Sequence, residues 1–467
     1  MTVADELAGW GAGLTLGAIP PPVRRAAARH LLDGIGVGLA AARTGTAEAA
    51  VAVAAGLGGP AEAVVLGGTT PVGTAAAAFG TGVLVHALDF DDTHAEGLVH
   101  ATAAVLPTAL SVGQQVGATG ADVLSAAVVG YEVVCRVAAG SPHGFHARGL
   151  HATGVCAPLA AAAVASRLLR LDAATTVAAL GIAGSSAAGL LEFLTTGSST
   201  KQLHPGSAAL AGVVAARLAK AGASGPATVV EGTRGLYAAL SGRPADPGRV
   251  VRDLAGTSGA TGQESWETVR LTVKGYPCCQ LMHGALDAVT DLLAAGLDPD
   301  EITDVCVALH PDGAAVVSGG GDVKATPRTP YEAKFSLPWT VAALLLDGRV
   351  TVDTYAADSL RRPAVAALAR RVRTVDTAES GPAAAAVTRV VVGLADGRSV
   401  AVEVAGSRGS PEQPLDDDAL RAKFTANAGG PGAAADELAD RVSALAEQES
   451  LSTLCRLAAT LASGGSR

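Results

Sequence analysis

The sequence predicts a mainly α protein, in which a large all-helical domain built from both chain ends carries a smaller inserted α+β domain. Hydrophobic residues make up 49% of the 467 residues and aromatic residues only 3%, so alanine, the strongest helix former, supplies much of the apolar content. Residues 1–264 form successive helix-like runs with no alternating strand pattern. Strand patterns begin near Ser265, and residues 408–467 return to helix. The length also suits two domains.

Helix-start signals define the elements of the first domain. Pro21 and Pro22 start a long helix, because proline is favoured in a first turn. Asp122 and Asp172 are candidate N-caps ahead of apolar runs. The stretch Ala173–Leu191 carries no charge over 19 residues, but its many alanine, glycine, serine and threonine residues are too weakly apolar for a membrane span. We therefore predict a helix that is buried within the protein or at a subunit interface.

Period-two alternation marks the inserted domain, residues 265–407. The Asp-Gly pair within Ala395–Arg398 lies between two alternating runs and is a strong hairpin signal. The predicted strands are Val269–Val273, Asp304–Leu309, Thr388–Leu394 and Ser399–Val404. The predicted helices of this domain and of the tail are His283–Ala295, Ser359–Val372, Asp416–Ala426 and Ala434–Ala462.

Composition excludes several classes of function. The net charge is −9 and lysine and arginine are not clustered, so we expect no nucleic-acid partner. Six cysteines without a CxxC spacing predict neither a disulfide framework nor a zinc module. The N-terminal residues lack the basic and apolar regions of a signal peptide. These features favour a cytoplasmic protein with no membrane partner.

The densest polar segment is His86–His94, followed by His100. Asp89, Thr93 and His100 lie here between two apolar helical runs, where aspartate and histidine could perform general acid–base chemistry. Alternatively, Asp91, Asp92 and Thr93 simply cap the next segment. The histidine spacings fit no helix-face ligand pattern, and the acidic run lacks the glycine and distal glutamate of a calcium loop. We therefore expect no metal.

Two further polar segments precede helices rich in small residues. His151 stands at a predicted helix start, a setting that favours anions, although an ordinary loop histidine is the alternative. Lys201 is the only charge in the stretch back to Glu192, and His204 follows it. Such a lysine could clamp a carboxylate, or it could extend its charge to solvent.

Two segments of the inserted domain also hold candidate residues. Lys274, the Cys278–Cys279 pair and His283 follow one predicted strand. A cysteine near a histidine could act as a thiolate nucleophile, but we favour the pocket-wall interpretation because no oxyanion partner is specified. Tyr331, Phe335 and Trp339 fall within nine residues of an aromatic-poor chain, which indicates either a site or a packing nucleus.

Read in order, these segments resemble the MmgE/PrpD family. Seven strings carry the resemblance and span nearly the whole chain: HALDFDDTH (86–94), HATAAVLPTAL (100–110), GLHATGVCAPLAAAA (149–163), TKQLHPGSAALAG (200–212), KGYPCCQLMHGALDA (274–288), YEAKFSLPWTVAALLLDG (331–348) and LRAKF (420–424). The known activities of the family include 2-methylcitrate dehydratases, cis-aconitate decarboxylases and epimerase-type enzymes. The resemblance implies the same two-domain fold, an active site between the domains, a homodimer, and no metal or organic cofactor.

The resemblance also implies roles for individual residues. By this resemblance the site is lined by Asp89, Thr93, His100, His151, Lys201 and Lys274. We also predict further substrate contacts from His204, Cys279, His283 and Trp339. The two lysines and a protonated histidine suit carboxylate binding and stabilisation of a carbanion next to a carboxylate. Asp89 would be a base or would hold a catalytic histidine. His100 or His151 would donate a proton, and Thr93 would position substrate or water.

Two positions depart from the pattern of the cis-aconitate decarboxylases. Cys279 takes the place of a histidine, and Trp339 that of a tyrosine. The sequence therefore predicts a lyase that dehydrates a 2-hydroxy-polycarboxylate such as 2-methylcitrate. Decarboxylation or isomerisation of an aconitate-like acid, or of a specialised metabolite, is the alternative. A non-catalytic metabolite-binding scaffold is a third, more remote interpretation.

Overall fold

The computed structural model describes residues 1–254, 265–319, 322–378 and 381–464. The chain divides into two units. The helical unit comprises Met1–Leu191, Thr200–Val273 and Asp416–Arg467, and the α+β unit comprises Glu192–Ser199 and Lys274–Leu415. The helical unit thus draws on both ends of the chain, and the structure is mainly α with a minor α+β part, as the sequence predicts.

The helical unit is built from helices numbered along the whole chain. They are α1 (Val3–Gly13), α2 (Pro21–Thr44), α3 (Glu48–Leu57), α4 (Thr74–His86), α5 (Thr102–Val116), α6 (Gly120–Ala139), α7 (Ala152–Leu168), α8 (Ala173–Gly184), α10 (Leu203–Lys220), α11 (Leu236–Leu240), α12 (Pro247–Val251), α19 (Asp417–Asn427), α20 (Ala433–Ser443) and α21 (Ser452–Ser463). Two short antiparallel pairs accompany them: β1 (Ala63–Val64) with β2 (Pro71–Val72), and β3 (Thr93–His94) with β4 (Leu271–Thr272).

Small residues allow the central helices α4, α5, α7 and α10 to approach one another closely. The tightest point joins α4 to α10, where a Cβ atom on Gly82 would lie 2.7 Å from the Cα atom of Gly206. A Cβ atom on Gly206 would in turn lie 2.5 Å from the carbonyl oxygen of Phe79. Only glycine at both positions permits this crossing. It lies one helical turn before the end of α4 and one turn inside α10.

A buried polar network ties the helical unit together, and we call Glu132, Arg136, His94, Arg249 and Glu267 the glutamate network. The Glu132 carboxylate accepts bonds from Arg136 Nε (2.9 Å) and from the backbone N–H groups of Glu267 and Thr268. Arg136 also donates to the carbonyl oxygens of Arg252 (2.7 Å) and Ser265 (2.6 Å). Arg136 therefore connects helix α6 to segments of the chain that are more than 100 residues further along the sequence.

Glu267 forms the other half of the glutamate network. Its carboxylate accepts from Arg249 Nη2 (2.7 Å) and lies 3.0 Å from His94 Nε2. His94 Nδ1 accepts from the Gly97 N–H group, so the ring proton is on Nε2 and points at Glu267. His94 belongs to β3, whose pairing with β4 places Thr93 opposite Thr272.

The α+β unit contains a four-stranded sheet in the order β6–β5–β7–β8. Strand β5 pairs in parallel with β6 and antiparallel with β7, and β7 pairs antiparallel with β8. The strands are β5 (Ile302–Leu309), β6 (Val372–Asp376), β7 (Thr388–Leu394) and β8 (Ser399–Val404). The helices are α9 (Phe193–Thr196), α13 (His283–Ala294), α14 (Pro311–Val317), α15 (Asp322–Ala325), α16 (Pro330–Ala333), α17 (Leu337–Asp347) and α18 (Pro363–Ala369).

Several predicted elements are confirmed. Helix α2 begins at Pro21, and Asp172 caps α8 by accepting from the Thr175 N–H group. The hairpin β7–β8 has its predicted bounds, and Gly397 turns the chain with a φ of +84°. No helix among the described residues is long and apolar enough to cross a membrane. The uncharged stretch forms α8, which is buried on one face and ends at Gly184.

Other predictions were wrong in their local detail. Asp122 is the third residue of α6, within a capping box whose N-cap is Thr119. The run Val269–Val273 keeps only Leu271–Thr272 as strand, because a 3-10 turn occupies Glu267–Arg270. The first half of the chain contains the short strands β1, β2 and β3, although none was predicted there.

Two predicted long helices are also interrupted. The segment Ser359–Val372 breaks at Pro363, which starts α18, and Val372 already begins β6. Proline favours a helix start at this point over continuation through it. The predicted tail helix is two helices, α20 and α21, separated by a 3-10 turn at Leu445–Glu447.

Candidate active site

The candidate site belongs to the helical unit and is built from the ends of four helices. α4 ends at His86, while His100, His151 and Lys201 lie one or two residues before the first residues of α5, α7 and α10. A helix N-terminus carries partial positive charge and unsatisfied N–H groups. Three such ends beside a lysine therefore create an environment that favours an anion.

Lys201 occupies the centre of the charged groups. Its Nζ atom donates to Asp89 Oδ1 at 2.9 Å and lies 3.3 Å from His100 Nε2. Asp89 is fully buried and Lys201 is 4% exposed. The alternative in which Lys201 extends into solvent is therefore wrong. Asp89 orients this lysine.

The hydrogen bonds of His100 determine its tautomer. Its Nδ1 atom lies 2.9 Å from the carbonyl oxygen of Asp92, which can only accept, so the proton is on Nδ1. The Nε2 lone pair then faces the Lys201 ammonium group, from which it can accept. Thr93 Oγ1 lies 3.3 Å from the same Nδ1 atom, and Thr153 Oγ1 accepts from the His100 N–H group. His100 therefore presents a basic nitrogen to the centre of the site.

His86 and Asp91 form a dyad that the sequence analysis left out of its candidate residues. His86 Nδ1 lies 3.0 and 2.9 Å from the two Asp91 oxygens, and both side chains are fully buried. Burial outweighs the nearby carboxylate and lowers the pKa of His86. Its ring lies 4.7 Å from that of His100, centroid to centroid. The only sequence signal was the polar density of the segment 86–94.

His151 and His204 form a second pair. Their Nδ1 atoms lie 3.0 Å apart, so one ring donates and the other accepts. Burial, with further lowering from Lys201 and neighbouring histidines, holds the pKa of His151 well below its usual value. Burial and nearby positive charge lower the pKa of His204 to about 4. The expected protonated histidine is therefore not His151 before an anion binds, and Lys201 supplies the charge.

We call His86, His100, His151 and His204 the histidine cluster. The Nε2 atoms of His86 and His151 are buried and have no hydrogen-bond partner among the described residues. Polar atoms in this state are costly unless something else satisfies them. The cluster therefore has the character of a ligand site.

The loop that follows α4 holds these groups in place. Asp89 has a φ of +53°, a left-handed conformation that is uncommon outside glycine. Asp92 accepts from the Thr102 N–H group (3.0 Å) and Oγ1 (2.5 Å) at the start of α5. The capping alternative from the sequence is thus right for Asp92, while Asp91 and Thr93 contact the histidines.

Three histidines of the cluster lie close enough together to bind a metal ion. One ring nitrogen from each of His86, His100 and His151 lies within 4.8 Å of the others. However, the Lys201 ammonium group lies 3.3 Å from His100 Nε2, and its fixed positive charge would repel a divalent cation. The arrangement suits a carboxylate better than a metal.

The other predicted site residues belong to the α+β unit and are all buried: Lys274, Cys279, His283 and Trp339. His283 Nε2 lies 3.3 Å from the Cys278 carbonyl oxygen, and the Cys279 N–H group donates to the Lys334 carbonyl oxygen. Trp339 packs against Tyr355 with ring centroids 5.9 Å apart. Their participation in substrate binding stays a prediction.

The aromatic run of the α+β unit matches the packing alternative. Phe193 lies 6.2 Å from Tyr331 and 5.7 Å from Phe335, centroid to centroid, and both contacts are edge-to-face. Tyr331 and Phe335 are themselves 5.7 Å apart. Such edge-to-face groups stabilise a core beyond their buried area.

Comparisons with known proteins identify the family of the chain. The family model for the MmgE/PrpD N-terminal domain matches residues 5–247, and that for the C-terminal domain matches residues 276–447. The chain is 27% identical to a cis-aconitate decarboxylase of Aspergillus terreus over 91% of this chain and 89% of the relative. It is 28% identical to the mouse cis-aconitate decarboxylase over 91% and 87% of the two chains. The human enzyme of that name is 29% identical over 75% and 72%. Since the two family models together cover most of the sequence, the chain belongs to the MmgE/PrpD family.

Proposed function

We propose that this protein is a lyase that acts on a di- or tricarboxylate, and that its reaction is decarboxylation of cis-aconitate or a close analogue. The observation that carries the proposal is the Lys201 ammonium group, held by Asp89 beside the basic Nε2 atom of His100. A positive charge next to a base is what carbanion chemistry adjacent to a carboxylate requires.

The residues of the helical unit suit such a reaction. Lys201 and the N-termini of α5, α7 and α10 would hold a substrate carboxylate and stabilise negative charge as it develops. In decarboxylation, the carbon–carbon bond to one carboxylate breaks, CO₂ leaves, and the electron pair stays on the conjugated carbon framework. A histidine of the cluster then delivers a proton to that carbon. In this scheme His151 or His100 must bind that proton after the anion has bound.

The relatives support the order in which we place the two candidate reactions. All three relatives described above are named cis-aconitate decarboxylases and cover most of this chain. They favour decarboxylation over the dehydration of 2-methylcitrate that the sequence analysis preferred. Dehydration is the second candidate because Cys279 and Trp339 depart from the decarboxylase pattern. In that reaction a base would take a proton next to a carboxylate, and a histidine would protonate the departing hydroxide.

The deciding experiment is a product analysis with purified protein treated with EDTA. The protein is incubated separately with cis-aconitate, 2-methylcitrate and citrate, and the products are identified by NMR. We expect CO₂ and itaconate or an isomer from cis-aconitate, at a rate that EDTA does not change. An alkene from 2-methylcitrate alone would instead support the second candidate. No turnover of any of the three would contradict both reactions on these substrates.

A further inference from the structure

The string LRAKF contains a largely buried lysine for which the proposed chemistry has no role. Lys423 is on α19, more than 300 residues from the loop after α4. Its ammonium group forms an ion pair with Asp33 at 2.6 Å, and both side chains are buried. The same Nζ atom donates to the carbonyl oxygen of Phe90 at 3.0 Å and lies 3.9 Å from the centroid of the Phe90 ring.

We propose that Lys423 is a positioning residue of the candidate site, which fixes the Phe90 peptide and thereby keeps Asp89 in contact with Lys201. The inference rests on the proposed function for its kinetic test, but its geometric part can be measured without a substrate. Lys423 would then act on Lys201 through the backbone, without touching the substrate itself.

The conformation of the loop explains why one carbonyl bond matters. Phe90 lies between Asp89, which holds Lys201, and Asp91, which holds His86. Asp89 has a positive φ, which is a strained conformation that surrounding contacts must maintain. A cation on the Phe90 carbonyl fixes the plane of the peptide between Phe90 and Asp91. Without it, relaxation of Asp89 would move the carboxylate away from Lys201.

The neighbouring residues of the loop have contacts of their own. On the other side of the loop, Asp92 is fixed by Thr102 and lies 3.3 Å from His30 Nδ1. The Asp89 N–H group bonds to the His86 carbonyl oxygen. Lys423 donates directly to the carbonyl oxygen of Phe90 and thereby fixes the peptide of that residue.

The alternative is that Lys423 only neutralises the buried Asp33. A double variant separates the two roles, because a buried ion pair can often be replaced by neutral residues of similar volume at little cost in stability. Lys423→Met alone leaves the buried Asp33 without its ion-pair partner, so we expect it to lower the urea midpoint. Asp33→Asn/Lys423→Met removes both charges and should regain most of that loss.

The experiment therefore combines urea unfolding, steady-state kinetics and ¹⁵N NMR of the histidine rings for the double variant. We expect near wild-type stability, a kcat/KM about 10- to 100-fold lower, as displacements near 1 Å can produce, and shifted ring signals of His100. Arg421→Gln is the control, because Arg421 is on the same helix but pairs with the exposed residues Asp436 and Asp440. It should change none of the three readouts.

A second variant tests the proposal if the double variant folds poorly. Lys423→Arg keeps a cation for Asp33 but replaces the compact ammonium group with a planar fork, so we expect a stable protein with reduced kcat/KM. Wild-type kinetics and wild-type histidine signals in a stable double variant, or in Lys423→Arg, would overturn the proposal. If the wild type turns over no substrate while the double variant still shifts the His100 signals, the proposed function fails and the positioning role stands.

Discussion

The helical unit contains two buried polar groupings that differ in how completely their hydrogen bonds are satisfied. In the glutamate network, every side-chain nitrogen and oxygen of Glu132, Arg136, His94 and Glu267 that is buried has a partner within the described residues. In the histidine cluster, the Nε2 atoms of His86 and His151 have none there. Both groupings contain histidine and carboxylate, so residue type alone does not separate them. Saturation indicates a structural role, and incomplete saturation indicates a ligand site.

The largest expected effect is on turnover, from variants at the centre of the candidate site, next to the histidine cluster. Lys201→Ala and His100→Ala should each lower kcat/KM by about 10²- to 10⁴-fold, because each removes a charge or a base that the reaction uses. Steady-state kinetics on the substrate identified by product analysis measures the loss. Lys220→Ala, at the exposed far end of α10, is the matched control and should behave as wild type. Near-full activity in either site variant would remove that residue from the site.

The second-largest expected effect is on stability, from a variant of the glutamate network. Arg136→Met should lower the free energy of unfolding by about 3–5 kcal/mol, because it leaves the buried Glu132 without its cation. Urea unfolding measures this change, and the kcat of the remaining folded enzyme should stay close to wild type. Arg441→Met breaks a half-exposed pair with Glu437 and should cost less than about 1 kcal/mol. If the two variants lowered the free energy of unfolding equally, the buried network would stabilise the fold no more than an exposed ion pair does.

The smallest effect is the pH dependence of stability. The pKa values of His86, His151 and His204 are lowered in the folded protein, to about 4 for His204. Between pH 6.5 and 4 the unfolded chain therefore binds more protons than the folded one, and stability falls as the pH falls. Each such histidine contributes up to about 1.4 kcal/mol per pH unit. The pKa of Glu267 is lowered in the folded protein, so protonation of this residue affects stability mainly below its usual pKa near 4.5. Unfolding measured from pH 6.5 to 5 therefore avoids most of that effect.

His151→Asn sharpens this measurement. Asparagine is a favoured N-cap, so the stability at pH 8 should change by less than about 1 kcal/mol. The slope of the free energy of unfolding against pH, between pH 6.5 and 5, should decrease by about the contribution of one histidine. Asp172→Asn, an N-cap change at α8 that removes no histidine, should leave the slope in this window unaltered. An unchanged slope in His151→Asn would show that His151 is not buried in the neutral form.

Local signals predicted the parts of the structure that depend on neighbouring residues in the chain. Pro21 starts a helix, Asp-Gly forms the hairpin turn, and His151 stands at a helix start. The resemblance then pointed to Asp89, His100, His151 and Lys201, which the structure brings together. The partners of each ring could not be predicted, because they come from distant segments. His100 is held by the Asp92 carbonyl oxygen and His86 by Asp91, and nothing in a linear pattern distinguishes three neighbouring acidic residues.

The crossing of α4 and α10 has a consequence for which substitutions the chain can accept. Gly82 and Gly206 meet without side chains, one turn from the ends that carry His86 and Lys201. A single methyl group at either position would act as a wedge and lengthen the span between Asp89 and Lys201. The glycine pair therefore sets the spacing between the two helices, and a substitution at an uncharged position would change the distance between the charged groups one turn away.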